Sequence, residues 1–445
     1  GGGSILGFDR TRLTVGPHSA GSNPGPLCYG RGGPLTMTDA NVVTGKIRPQ
    51  HFPAVFGADG KQPIDTKAVR GAFEALADTV PGRPAPEQLA DSYIRIGCEI
   101  MAGAIKKISI ERGYDVSQYA LNCFGSAGGQ HACLIADILD MRAILVHPCS
   151  GVLSAYGMGL AAVRASRERS VEIPLDEAAV RDIEPVAFDM GSDVTDEILA
   201  QDVEHDAIAL TTRLHLRYAG SDTAIAVPLA EARFMRRDFE ALHAARFGFT
   251  SPGKGLVISA IEVEARAELP DAPDIASTQS PAAAPPCAQE RSRFFARGQW
   301  HEANIYLRVD LAAGHTIAGP ALVIEPHQTI VVDHGWQLAV TPRDDLVLTR
   351  IAPRQREMLS TDADPGLLEV FNNRFMGIAE QMGEALRATA QSVNIKERLD
   401  FSCAVFDAQG GLVSNAPHLP VHLGSMDRSV ESVLRAKGAD LHPGD

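Results

Sequence analysis

Residues 123–148 read CFGSAGGQHACLIADILDMRAILVHP. Five small residues (Gly125, Ser126, Ala127, Gly128 and Gly129) separate Phe124 from Gln130, and the chain then turns at once to a helical pattern and on to the apolar run AILVHP. A backbone with so little side-chain bulk ahead of a helix must crowd either a ligand or another backbone. Strand, tight turn, helix and strand in succession belong to an α/β layer. The stretch therefore predicts a strand ending near Phe124 and a helix from about Gln130. Glycine torsions, with the amides and dipole that open a helix, offer a flat seat to a nucleotide. No Lys-Ser/Thr follows, which excludes a Walker A loop, and the spacing is not that of a dinucleotide fingerprint. A plain strand-to-helix turn accounts for the same residues.

The rest of the chain sets this stretch in a larger frame. Its 445 residues exceed what one core serves, so two or three domains are expected. A net charge of −14 argues against a nucleic-acid or anionic-membrane surface. No apolar run is long enough to suggest a membrane span. Seven scattered cysteines without a C-x-x-C pair fit reduced thiols in a cytoplasmic protein better than disulfides or a zinc site. Residues 1–49 are punctuated by Gly and Pro and predict specific turns. From Asp91, the residues Ile94, Met101, Ile105 and Ile108 recur at helical spacing, with Lys106 and Lys107 on the other face. In SGVLSAYGMGLAAV, Ser154, Gly157 and Ala161 form a small-residue face suited to close helix packing. Leu214, Leu216 and Tyr218 alternate as in a strand. Residues 271–289 are rich in Pro and Ala and predict an exposed linker, and 296–350 predict short strands. Leu368, Phe371, Phe375, Ile378, Met382 and Leu386 predict a long amphipathic helix from Pro365. LDFSCAVFDAQGGLVSNAP predicts a β-hairpin with its turn at Gly410 and Gly411.

Two further stretches carry candidate chemistry. In TDAN, residues 38–41, Asp39 and Asn41 either bond to the local backbone or contact a ligand or metal. In HLPVH, residues 418–422, Pro420 argues against a helix. In an extended segment His418 and His422 lie on one side, where metal ligation with Asp400 or Asp407 is open.

Taken together, GGGSI, VGPHSAGSNPGPLCYGRGGPLTMTDANVVTGKI, FGSAGGQHACLIADIL and SGVLSAYGMGLA resemble the later part of the hydantoinase A family. RFMGIAEQMGEALRATAQSVNIKERLDFSCAVFDAQGGLVSNAPHLPVHLGSM resembles the start of the hydantoinase B family. The resemblance implies three regions. Residues 1–165 would be part of an actin-like ATPase lobe of α/β class. Residues 166–350 would be an α+β, β-rich region, and 351–445 the α+β start of the B domain. In that reading Gly125, Ser126, Ala127, Gly128 and Gly129 lie beside the base and ribose of ATP, with Asp39 and Asn41 nearby. Ser126 stands where the family more often has glycine. His418, His422 and Asp400 would hold a second divalent metal besides Mg²⁺. The A-before-B order implies ATP-dependent hydrolysis of the lactam of 5-oxo-L-proline to L-glutamate by a cytoplasmic homo-oligomer with no nucleic-acid or membrane partner. Hydantoinase or N-methylhydantoinase activity, ketone carboxylation and a non-catalytic module are the alternatives. The family carries its phosphate loops upstream of GGGSI and further B motifs downstream. A central piece of a longer enzyme, inactive alone, is therefore expected.

Overall fold

The computed structural model describes residues 2–111, 114–267, 284–353, 365–390, 392–416 and 419–442. The chain forms two compact units, each assembled from separated stretches of sequence. Most of the Pro/Ala segment expected at 271–289 lies outside the described residues.

One unit takes in residues 1–156, 274–381 and 404–415. Its strands Leu121–Cys123 and Ala143–Val146 run parallel, joined by the helix Ala132–Leu139. The second strand then pairs antiparallel with Leu346–Arg350, placing Leu346 opposite Val146. Trp336–Val340 and Thr316–Ala318 extend this to a five-stranded sheet. A separate four-stranded sheet runs in the order Thr329–Val332, Ala321–Ile324, Gln299–Leu307, Glu290–Ala296. Residues 296–350 are thus mainly β, as their pattern predicts, and they share a core with helices from the first 156 residues. In the long helix Pro86–Glu111 the buried residues include Leu89, Tyr93, Ile94, Ile96, Cys98 and Ala102, whereas Ile108 is exposed. Met101 and Ile105 are half-buried against the same core, so the expected stripe holds as far as Ile105 and fails at Ile108. Between Glu290–Ala296 and Gln299–Leu307 the turn is two residues long. Arg297 and Gly298 both have positive φ (52° and 77°), as a twisted two-residue hairpin requires.

The other unit takes in residues 157–273, 382–403 and 416–445. It holds an antiparallel sheet in the order Val163–Pro174, Leu256–Ala267, Ile208–Tyr218, Ile225–Pro228. The helices Glu177–Leu199 and Ala232–Phe247 pack their buried faces into its core. Leu214, Leu216 and Tyr218 all point into that core, as their alternation predicts.

Three local expectations are overturned. The helix Leu153–Leu160 buries none of its residues, and a Cβ at Gly157 would meet nothing within 4 Å, so the small-residue face makes no close helix contact. On the helix Pro365–Thr389 the buried positions are Gly366, Val370, Ala379 and Gly383, while Leu368, Ile378, Met382 and Leu386 of the expected stripe are exposed. Pro420 does not prevent a helix. It begins one, Pro420–Lys437, because the first helical position needs no N–H and favours the fixed φ of proline.

Candidate functional site

The glycine stretch forms a compact turn between strand and helix. The Gly125 amide donates to the Ser150 carbonyl (2.8 Å), Gly128 N–H to Gly125 O (3.1 Å), and His131 N–H to Gly128 O (3.0 Å). A single 3₁₀ turn, Gly128–Gln130, comes first, and the α-helix starts at Ala132, two residues later than the pattern suggests. The glycines answer to different demands. Gly125 has φ +85° and open space around a would-be Cβ. At Gly129 a Cβ would lie 2.8 Å from the Thr329 carbonyl oxygen and 3.0 Å from Ile330 Cγ1, so this residue is small because the neighbouring strand passes so close. At Gly128 the nearest atom would be Cys123 Sγ at 3.1 Å. Ser126 is exposed, and Gly125 and Ala127 are half-buried. The surface face of the turn is therefore its first half.

Behind the turn stands a wall that sequence reasoning missed. The connection Glu325, Pro326, His327, Gln328 joins two buried strands of the four-stranded sheet. A Cβ at Gly151 would touch His327 Cβ at 2.7 Å, so this connection lies against residues 150–151 as well as Gly129. Buried Gln328 donates through Nε2 to Ser150 Oγ and to Glu325 Oε2, while its Oε1 is buried without a partner. Burial raises the Glu325 carboxyl above its ordinary range, opposed by the Gln328 hydrogen bond and by Arg308, 3.6 Å away. The sequence EPHQT signals a turn and no more.

The TDAN residues sit in the helix Met37–Val43. Asp39 is fully buried and accepts from the backbone N–H groups of Leu27 (3.1 Å), Cys28 (2.8 Å) and Thr36 (2.8 Å), and from Thr36 Oγ1 (2.9 Å). The two bonds from Thr36 are those of the local-turn reading, and those from Leu27 and Cys28 tie the helix to a separate loop. Asn41 is different. Its Nδ2 donates to Met37 O and lies 3.3 Å from Nε2 of His131, the residue that follows the glycine turn. The structure thereby brings the TDAN helix and the end of the glycine stretch together. Burial first, and then the charge of Lys46, push His131 down to about 3, so the ring is neutral. With Nε2 facing an amide donor, the ring proton belongs on Nδ1. His131 Nδ1, Asn41 Oδ1 and Lys46 Nζ are all buried without hydrogen-bond partners.

In the other unit, His422 Nε2 lies 3.8 Å from Asp400 Oδ1, and its Nδ1 is 3.0 Å from Ser402 Oγ. His418 lies outside the described residues. Asp407, in the hairpin, accepts from the amides of Gln409 and Gly411 and so closes its own turn. No group of three or more His, Cys, Asp or Glu suited to a metal occurs among the described residues. Of the three residues expected to hold a metal, the described structure brings together His422 and Asp400.

Three family models match the chain in order: Hydantoinase/oxoprolinase over residues 1–167, the Hydantoinase/oxoprolinase C-terminal domain over 175–344, and Hydantoinase B/oxoprolinase over 364–445. The chain belongs to the hydantoinase/oxoprolinase family. Over its whole length it is 36% identical to 5-oxoprolinase 1 of Arabidopsis thaliana, 35% to 5-oxoprolinase of Dictyostelium discoideum and 34% to that of Saccharomyces cerevisiae. It spans 36% of the length of each. Among solved structures, nucleotide-free acetone carboxylase matches with a TM-score of 0.63 at 20% identity, covering 79% of this chain and 52% of that one. ATP-dependent caprolactamase from Pseudomonas jessenii matches with a TM-score of 0.58 at 26% identity over the same shares. The fold is accordingly the mixed α/β fold of these enzymes. Among the described residues no helix is long and apolar enough to cross a membrane.

Proposed function

We propose that this chain is the central part of an ATP-dependent 5-oxoprolinase, which opens the lactam of 5-oxo-L-proline to L-glutamate. One observation carries the reading: the A, A C-terminal and B segments follow one another in a single chain, aligned end to end with 5-oxoprolinases at 34–36% identity. The chemistry makes the coupling sensible. A five-membered lactam is resonance-stabilised and re-forms readily, so its opening needs an activated amide. ATP would supply that activation by phosphoryl transfer to the amide oxygen, with Mg²⁺ screening the charge.

In this reading residues 1–165 belong to an actin-like lobe, 166–350 to the A C-terminal region and 351–445 to the B domain. The first half of the glycine turn, Gly125, Ser126 and Ala127, seats the nucleoside. Gly128 and Gly129 hold the turn against Cys123 and the strand behind it. Two features favour the seat: the open space over Gly125 and the orphaned buried acceptor Gln328 Oε1 in the wall behind. Asn41 meets His131 at the end of the turn and steadies it, while Asp39 holds the helix that carries Asn41. His422 and Asp400, with His418, contribute to a divalent-metal site that other residues complete. The protein works in the cytoplasm on a small-molecule substrate, as a homo-oligomer.

The test is product analysis. The complete enzyme is offered ATP with 5-oxo-L-proline, hydantoin, N-methylhydantoin, caprolactam, or acetone with bicarbonate. Glutamate and ADP formed together from 5-oxo-L-proline alone are expected. Turnover of another member of the panel in its place would move the enzyme to that branch of the family. This 445-residue chain by itself, which spans 36% of the length of the 5-oxoprolinases it matches, is expected to release no glutamate.

A further inference from the structure

Gln328 is buried, and its two amide protons are both committed, one to Ser150 Oγ and one to Glu325 Oε2. The contact with the Glu325 carboxylate fixes which end of the amide is which, and Oε1 is left as a buried acceptor with nothing to accept. Such an atom is costly, because the water it lost on folding is not replaced by any donor. A strut whose only task was to hold residues 325–328 against Ser150 would not need it.

The position of that acceptor is informative. Ser150 receives the Gly125 amide on its carbonyl and the Gln328 amide on its hydroxyl, so one residue separates Gln328 from the glycine turn. The residues on either side of Gln328 press on the turn region directly, His327 against Gly151 and Thr329 against Gly129. Oε1 is buried, and across Ser150 from it the turn is open, since Gly125 has φ +85° and a Cβ there would meet nothing within 4 Å.

We propose that Gln328 determines which base the glycine turn accepts, its Oε1 taking a hydrogen bond from the exocyclic amino group of adenine when the nucleoside settles on Gly125 and Ser126. This rests on the nucleoside reading of the turn given above. An adenine presents an N–H₂ donor at that place. A guanine presents a carbonyl oxygen, which would meet a second acceptor and be rejected.

The experiment is a cycle between one side chain and one ligand group, read as equilibrium binding by calorimetry on the complete enzyme. The ligands are ATP, purine riboside triphosphate (which lacks the amino group) and GTP. The native protein should bind ATP about tenfold more tightly than the purine analogue, about 1.4 kcal/mol, and GTP more weakly still. Gln328→Met, similar in volume and without an acceptor, should bind ATP and the analogue equally. Gln328→Glu, which keeps an acceptor but loses both donors, should retain the preference. That variant separates base reading from the strut, and the native protein alone still decides if the methionine variant does not fold. A native protein indifferent to the amino group, or a methionine variant with undiminished preference, overturns the assignment while leaving the nucleotide seat in place. Failure of the native enzyme to bind any of the three overturns the seat itself, and the assignment with it.

Discussion

Asp39 collects four hydrogen bonds on one buried carboxylate, and three come from backbone amides, of which only that of Leu27 also donates to a carbonyl, Pro34 O at 3.0 Å. Asp39→Ala should cost about 3 kcal/mol or more, because the donors stay buried after the acceptor is gone. Urea titration would show it as a lower midpoint; a loss below about 1 kcal/mol would mean that water reaches those amides. The glycines separate in the same way. Gly129→Ala drives a methyl against the Thr329 carbonyl and should destabilise by about 1–3 kcal/mol. Gly125→Ala meets no atom, so only its left-handed φ opposes it, at about 1 kcal/mol. His131 adds a dependence on acid. Its folded value is depressed to about 3, so the unfolded chain binds the extra proton first. Its contribution to stability is complete above the unfolded value near 6.5 and is lost as pH falls toward 3. His131→Gln should flatten the loss of stability between pH 6.5 and 3 in denaturation series. An unchanged slope would place the acid sensitivity elsewhere. At this scale the sequence marked the right stretches, Asp39 and the glycines among them. It could not say that one glycine faces a strand and another faces space, because the partner of Gly129 lies 200 positions along the chain.

Elements with a strong local period were readable from the sequence alone. The strand Ala143–Val146, the core strand ending at Tyr218, the hairpin Ala404–Phe406 with Leu412–Asn415 and the long helix from Pro365 all stand where their patterns put them. What failed was inference from pattern to packing. The helix Leu153–Leu160 and the stripe from Leu368 to Leu386 are apolar by composition yet exposed, since period reports which residues share a face but not what covers it. Nor did any pattern announce how the short helix Val393–Lys396 is held. Lys396 Nζ donates to the carbonyls of Phe247 and Ala388. Glu397 accepts from Ser221 Oγ (2.7 Å) and the Asp222 amide (2.9 Å), and Arg398 lies 3.5 Å from Asp222. Glu397 and Arg398 thus fasten this segment to the loop after the strand Ile208–Tyr218, while Lys396 ties it to the helix ending at Phe247 and to the helix that precedes it. Glu397→Ala should speed hydrogen exchange at the Asp222 amide at least tenfold, while exchange in the strand itself stays slow. Equal rates in mutant and parent would show that the loop keeps its shape without the carboxylate.

Across the whole molecule, neither compact unit is continuous in sequence. The sheet that supports the glycine turn needs Leu346–Arg350 beside Ala143–Val146. A chain ending at residue 156 should therefore fail to fold. It would expose the face that Leu346 and Leu348 cover, and should appear as aggregate or bind a hydrophobic dye in solution. A monodisperse, cooperatively melting 1–156 would refute the dependence. Among the described residues, by contrast, the strands Val163–Pro174, Ile208–Tyr218, Ile225–Pro228 and Leu256–Ala267 pair only with one another.

That late pairing sets a timetable during synthesis. A ribosome delivering roughly 5–20 residues per second needs on the order of 10–40 s to travel from Val146 to Leu346. Throughout that interval the first-made strands wait with an open edge, while the sheet between them is translated and can close on itself. The inner unit still awaits residues 382–403 and 416–445 at that moment, but its sheet is already complete, so the early segment of the outer unit is the part that chaperones must shield.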